Sequence, residues 1–198
     1  MSLATRMRLL LLVLTLVGDQ AIFAQSPIKL DVGAKLPSLQ GQTLDDKEII
    51  LPDAAAGRIS LVIFTFSKAA GDRSRVWQDH FVKSFPEAAT PEAGAAQNSR
   101  ITSYSVAMLS DAPGFVRGMI RSAMRKGTPP ALRSRTITVL TDSKPWKQRV
   151  EMSNDKDDYL FLLDTKGQVV WIYHGEFGDK PDQELKAKIT ELLSGQKK

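Results

Sequence analysis

The segment from residue 64 to residue 77, FTFSKAAGDRSRVW, places a short polar loop between an apolar run and a helix-like segment. Backbone N–H groups at such a strand-to-helix junction can hold an anion. Ser67 and Lys68 would add a hydrogen-bond donor and a positive charge, while Asp72 would cap a helix that begins at Arg73. A plain connector explains the loop as well, because the loop lacks the glycine series that cradles phosphate.

The chain has no cysteine among its 198 residues. Thiol redox chemistry, thiolate nucleophiles and cysteine metal sites are therefore excluded, because each needs a thiolate. The two histidines, His80 and His174, have no ordered acid cluster beside them, so we expect neither a metal nor a cofactor. The carboxylates at Asp155, Asp157 and Asp158 are expected to be solvated in a loop. These observations predict a protein that is not an enzyme.

Positive charge is concentrated in one part of a chain whose net charge is +5. The sequence has no acidic residue between Ala112 and Thr141, and apolar side chains such as Phe115 and Met119 accompany the cations. A basic amphipathic helix can lie on anionic lipid or bind an acidic partner, although an ordinary solvated helix face also fits. Nucleic acid is not expected, because aromatic residues are not interleaved with the charges. The predicted partner-binding surface consists of Arg117, Arg121, Arg125, Lys126, Arg133 and Arg135.

The N-terminus has the pattern of a signal peptide over residues 1–24. Arg6 and Arg8 precede an apolar run, and Ala24 is suited to cleavage. The run is shorter than the roughly 20 residues of a membrane span. We expect an exported protein, periplasmic or secreted; an uncleaved membrane anchor and a mitochondrial location are the alternatives.

The rest of the chain predicts one α/β domain with a partly parallel sheet. We expect a linker over 25–33 and the domain over 34–195, with elements in the order β-β-α-β-α-β-α-β-β-α. Residues 86–100 are predicted to form a loop. The expected strands are one within 42–51, then 59–66, 102–109, 136–140, 159–163 and 168–173, and the expected helices are 73–85, 113–126, 144–152 and 181–193.

This order matches a thioredoxin fold with an N-terminal extension, as in the redoxins. Four stretches make the resemblance more specific: LPSLQGQTL, ISLVIFTFS, GFVRGMIRSAMRKG and DYLFLLDTKGQVVW. Together they resemble the thioredoxin-like assembly factor family of mitochondrial ATP synthase, which helps to insert or mature a proton-channel subunit. The secretion-type N-terminus departs from that family and indicates an exported bacterial relative.

The resemblance implies a thioredoxin-fold protein that lacks redox cysteines and acts by binding a membrane protein complex. In this interpretation the loop with Ser67, Lys68, Asp72 and Arg73 is a degenerate redox loop. A proline expected just before the penultimate strand in redoxins is also missing. Two other functions stay open: a small-anion or ligand-binding module at this loop, and a degenerate redoxin whose chemistry moved to another group.

Overall fold

The computed structural model describes residues 28–89 and 99–195. The predicted signal peptide lies outside the described residues, as does the middle of the predicted loop at 86–100. The strands are β1 (Leu39–Thr43), β2 (Glu48–Leu51), β3 (Ile59–Thr65), β4 (Ile101–Met108), β5 (Thr136–Val139), β6 (Tyr159–Leu163) and β7 (Val169–His174). The α-helices are α1 (Lys68–Ser84), α2 (Gly114–Gly127), α3 (Pro130–Arg133), α4 (Lys144–Arg149) and α5 (Asp179–Gly195).

The strands form one mixed sheet in the order β2-β1-β5-β4-β3-β6-β7. Strands β3, β4 and β5 run parallel, whereas β1 and β6 join them antiparallel. The last two strands are also antiparallel. Because the parallel strands share a direction, the segments that follow β3, β4 and β5 all begin at the same edge of the sheet.

Strand β3 lies near the middle of the sheet, and all seven of its residues are buried. Its side chains alternate between two apolar clusters, one on each face. On one face Phe64 stacks on Trp146 of α4, with ring centroids 5.2 Å apart. On the other face Trp77 of α1 packs among the apolar residues, as large aromatic residues commonly do in cores. The continuous apolar run of β3 follows from this burial on both faces.

The predicted α/β class with a mixed sheet is confirmed. Strand β6 has the predicted bounds, and the observed bounds of β4, β5, β7 and α2 differ from the predicted ones by one residue. The single strand expected within 42–51 is wrong, because a hairpin of β1 and β2 occupies residues 39–51. Helix α3 was also not expected.

The N-terminal part of the described chain packs closely on the domain. Leu30 is buried in the core, and its backbone N–H donates to the carbonyl of Arg149. The N–H of Gly33 donates to the carbonyl of Val169. Part of the stretch expected to be a linker, residues 25–33, is therefore fixed to the domain by burial and hydrogen bonds.

Candidate functional site

Helix α1 begins at the carboxyl end of β3, inside the loop that we predicted. Ser67 is the N-cap, and its hydroxyl oxygen accepts a hydrogen bond from the N–H of Ala70 at 3.2 Å. The prediction that Asp72 caps a helix starting at Arg73 is wrong. The β-to-α transition occurs at Ser67, because a hydroxyl at that position satisfies one of the free N–H groups of the first turn.

The charged residues of this loop have partners within the protein. Lys68 forms an ion pair with Asp72 one helical turn later, with Nζ and Oδ2 2.5 Å apart. Arg73 forms an ion pair with Glu176, which follows β7. The pKa of Asp72 is lowered, mainly by the hydrogen bond from Lys68. The structure thus brings the four predicted loop residues to one helix end, where an anion would compete with Asp72 and Glu176 for the cations.

Asp158 is the unusual group of this region. It directly precedes β6, whose first residue Tyr159 pairs with Phe64 at the end of β3. Asp158 is fully buried, and within the described ranges neither oxygen of its carboxylate has a hydrogen-bond partner. Burial raises its pKa from 3.8 to about 7, opposed by the charge of Arg73 and reinforced by the charges of Asp157 and Glu176.

Asp158 was assigned to a solvated loop in the sequence analysis, and that expectation is wrong. The loop before it is held by Tyr159, whose hydroxyl accepts from the N–H groups of Ser153 and Asn154 and donates to the carbonyl of Asn154. The one feature of the sequence that could have indicated the burial of Asp158 was its position. It directly precedes an apolar strand, at the place where redoxins carry their proline. Charge composition alone gave no indication of burial.

The arginines of α2 turn toward the protein. Arg121 donates to the carbonyls of Gln42 and Thr43, to the hydroxyl of Thr138 and to the carboxylate of Asp46. Its side chain is only 21% exposed. Arg125 reaches the other oxygen of Asp46 at 2.7 Å.

The two arginines attach α2 to the β1–β2 hairpin through hydrogen bonds and charge. They also hold the pKa of Asp46 below its ordinary value, with the hydrogen bond from Arg121 the largest cause.

The six residues predicted as a basic surface do not form one face. Arg117 donates to the carbonyls of Ala112 and Ser110, near the start of its own helix. Arg133 donates to the carbonyl of Thr128. Lys126 is exposed.

Arg135 is fully buried, so its assignment to an exposed surface is wrong. It lies next to β5, which pairs with β4 and β1 inside the sheet. A partner-binding role for the other five residues stays a prediction.

Two large apolar side chains of α2 lie on the solvent side, whereas Val116, Ile120 and Met124 are half-buried. Phe115 is 86% exposed and Met119 is 66% exposed, and no residue of α2 is buried. An amphipathic helix of a globular domain ordinarily packs its apolar stripe on the core. Here Arg121 contacts the domain and three apolar residues are half-buried, but Phe115 and Met119 extend the apolar surface of the helix into solvent.

A groove of about 650 Å³ lies elsewhere, beside the edge strand β2. Its lining includes Glu48, Ile50, Asp53 and Arg58. It lies apart from the loop at Ser67, so the groove does not enlarge the predicted anion site.

Within residues 28–89 and 99–195, no group of three or more histidine, cysteine, aspartate or glutamate side chains is arranged to hold a metal ion. The ring of His80 packs on Phe177 and that of His174 on Tyr159. Across the same described ranges, no helix combines the length and apolarity needed to cross a membrane.

The mixed sheet, with α1 starting at the carboxyl end of β3 and a β-hairpin before the last helix, defines a thioredoxin-like protein. Solved structures agree. A putative thiol:disulfide interchange protein DsbE from Chlorobium tepidum has a TM-score of 0.56 at 19% identity, covering 83% of this chain and 99% of that one. BsSco, a member of the Sco family of cytochrome c oxidase assembly proteins, has a TM-score of 0.54 at 12% sequence identity, and the match covers 84% of this chain and 98% of that one. A thiol peroxidase from Chromobacterium violaceum has a TM-score of 0.52 at 14% sequence identity, and the match covers 82% of this chain and 88% of that one.

The chain belongs to the ATP10 protein family, whose model matches residues 18–193. This match confirms the resemblance to ATP synthase assembly factors that the four sequence stretches indicated. Among curated proteins, no sequence matches the chain. The fold is shared with thiol enzymes, but the cysteines on which their chemistry rests are absent from this sequence.

Proposed function

We propose that this protein is a non-catalytic assembly factor that binds a component of the ATP synthase membrane sector while the sector is being assembled. The observation that carries the proposal is the match of the ATP10 family model to residues 18–193. A match over nearly the whole chain concerns the domain itself and not an isolated motif. The BsSco structure, named for a family that assembles a different membrane complex, indicates that the same fold is compatible with such work.

Two features of the site support binding over catalysis. Ser67 stands at the mouth of α1, and its hydroxyl serves as the helix cap. The charged residues after it are paired with one another or with Glu176. A nucleophile needs an activating base in hydrogen-bond reach, whereas the group that contacts the Ser67 hydroxyl in the described part of the chain is the backbone N–H of Ala70.

A location outside the cytoplasm belongs to the same proposal and rests on residues 1–24. Sequencing the N-terminus of the mature protein tests it. A start at Gln25 would support export with cleavage, whereas a mature protein that retains Met1 in the membrane would support the uncleaved anchor.

The assembly role is tested by deleting the gene and measuring fully assembled ATP synthase on native gels, with another membrane complex as the control. We expect assembled ATP synthase to fall and the control complex to stay constant, with the full-length chain restoring the loss. In parallel, chemical crosslinking of tagged protein in native membranes should link it to a membrane-sector subunit. Normal assembly in the deletion strain, together with no such link, would overturn the proposal.

A further inference from the structure

The outer face of α2 combines exposed apolar side chains with exposed small ones. Phe115 and Met119 lie four residues apart and are 86% and 66% exposed. Gly114, Gly118 and Ser122 repeat at the same interval beside them and are exposed too. Residues four apart lie on the same side of a helix, so the two rows run along one face.

Packing inside the domain does not require either glycine. Among the residues that the structure describes, a Cβ atom added at Gly114 or Gly118 would meet nothing within 4 Å. Gly118 lies in the helix interior, where glycine is among the least favourable residues, so alanine would suit an isolated α2 better at that position. Glycines spaced in this way allow another helix to approach the backbone closely.

The orientation of α2 is fixed by its arginine side. Arg121 has four hydrogen-bond partners, three in the β1–β2 hairpin and the fourth the hydroxyl of Thr138 in β5, and Arg125 adds a contact to Asp46 in the hairpin turn. Rotating α2 to bury Phe115 would break these bonds and leave a half-buried guanidinium without partners. The outer face is thus held in place by contacts on the opposite side of the helix.

The positive charge at the end of this face favours a partner with acidic residues. Lys126 is exposed at the C-terminal end of α2, where Arg121 and Arg125 share one carboxylate, that of Asp46, so two guanidinium charges meet a single negative charge. The nearest acidic residue before the helix, Asp111, pairs with Lys147 at 2.6 Å. A complementary partner therefore carries carboxylates where it lies over this end of α2.

From these contacts we infer that the outer face of α2 is a docking surface for an apolar α-helix of a partner protein. That partner helix has small residues along its contact side and acidic residues at the end that lies over Lys126. The inference deepens the proposed function and rests on it only for the identity of the complex. A lipid bilayer fits less well, because glycines add no apolar area to a membrane contact and Arg121 is occupied by the protein.

The test is photo-crosslinking in living cells with the full-length chain. Benzoylphenylalanine replaces Met119, and for comparison it replaces Lys83 at the exposed end of α1. We expect position 119, and not position 83, to link to an apolar segment with Gly, Ala or Ser at every fourth residue. A link to lipid, a link to a polar segment or no link at position 119 would overturn the inference.

Gly118→Leu separates a helix partner from a bilayer. The larger side chain should keep a partner helix away and reduce the linked peptide roughly tenfold, while adding apolar area that favours lipid. Gly71→Leu, at a helical glycine of α1 that also has open space around it, is the matched control and should leave the link unchanged. Stronger linking or stronger binding to phosphatidylserine vesicles with Gly118→Leu and no loss of the peptide link would refute the inference.

The identity of the linked protein separates the inference from the proposed function. A linked apolar helix from an ATP synthase membrane-sector subunit supports both. A linked apolar helix from another complex supports the docking surface and overturns the proposed function. Normal ATP synthase assembly by the Gly118→Leu chain, when the deletion strain fails to assemble it, overturns the docking surface alone.

Discussion

The buried carboxylate of Asp158 predicts a pH-dependent stability that replacement by asparagine should remove. The acid has its ordinary pKa of 3.8 when the chain is unfolded and a pKa of about 7 in the folded protein. The native state therefore holds this proton more tightly than the unfolded state. Protonation of Asp158 therefore contributes its full stabilisation of the folded state below about pH 4, and this stabilisation is lost as the pH rises through about 7.

The magnitude follows from the two pKa values. A change from 3.8 to about 7 corresponds to about 4 kcal/mol of stability lost across that pH range. Asp158→Asn keeps the side-chain shape but removes the ionisation. The buried amide and the buried neutral acid both lack a partner, so each bears a similar cost of an unsatisfied polar group. We expect the variant to be more stable than the wild type at pH 8 and similar in stability to it at pH 4.

Urea unfolding followed by tryptophan fluorescence measures this at a series of pH values and constant ionic strength. The informative quantity is the difference in free energy of unfolding between the variant and the wild type, plotted against pH. Asp155→Asn, an exposed residue three positions earlier, is the control and should give a flat difference near zero. A flat difference for Asp158→Asn would refute the reasoning, because the carboxylate would then titrate alike in both states.

Four further predictions concern stability and are measured by the same unfolding assay. Ser67→Ala should cost about 1 kcal/mol because the first turn of α1 loses its cap, and a variant as stable as the wild type would contradict that assignment. Arg121→Gln should cost about 2–3 kcal/mol, since the partly buried carbonyl of Thr43 and hydroxyl of Thr138 lose a charged donor. Arg125→Gln should cost less than about 1 kcal/mol, because it removes a surface ion pair. Equal costs would be inconsistent with the exposures of the two side chains. Gly41→Ala should cost about 1–3 kcal/mol because its Cβ would clash with side chains of β5. Gly118→Ala should gain about 0.5–1 kcal/mol in open space, and a loss at Gly118 would show that α2 is already covered.

Local sequence patterns predicted most elements because the chemistry that defines them is local. The apolar run of β3 and the hairpin of β6 and β7 are each fixed by neighbouring residues and turn signals. The start of α1 was misplaced by more than a turn because Ser67 and Asp72 are both good caps, and only the end of the buried strand decides between them. The sequence predicted one strand where β1 and β2 form a hairpin. Strand β1 also pairs with β5, whose residues are about 100 positions away, and local patterns do not indicate that pairing.

The sequence by itself determined the absence of thiol chemistry, the fold class and the family motifs, because residue types and local periodicity are sufficient for these. Only the tertiary structure decided which side of α2 faces the solvent. Arg121 binds carbonyls of β1, which is distant in sequence, so part of the predicted basic surface is turned toward the domain while Phe115 and Met119 are left exposed. The burial of Asp158 was decided in the same way, because Gly175, which donates to its backbone carbonyl, and Phe64, which pairs with the adjacent Tyr159, come from separate parts of the chain.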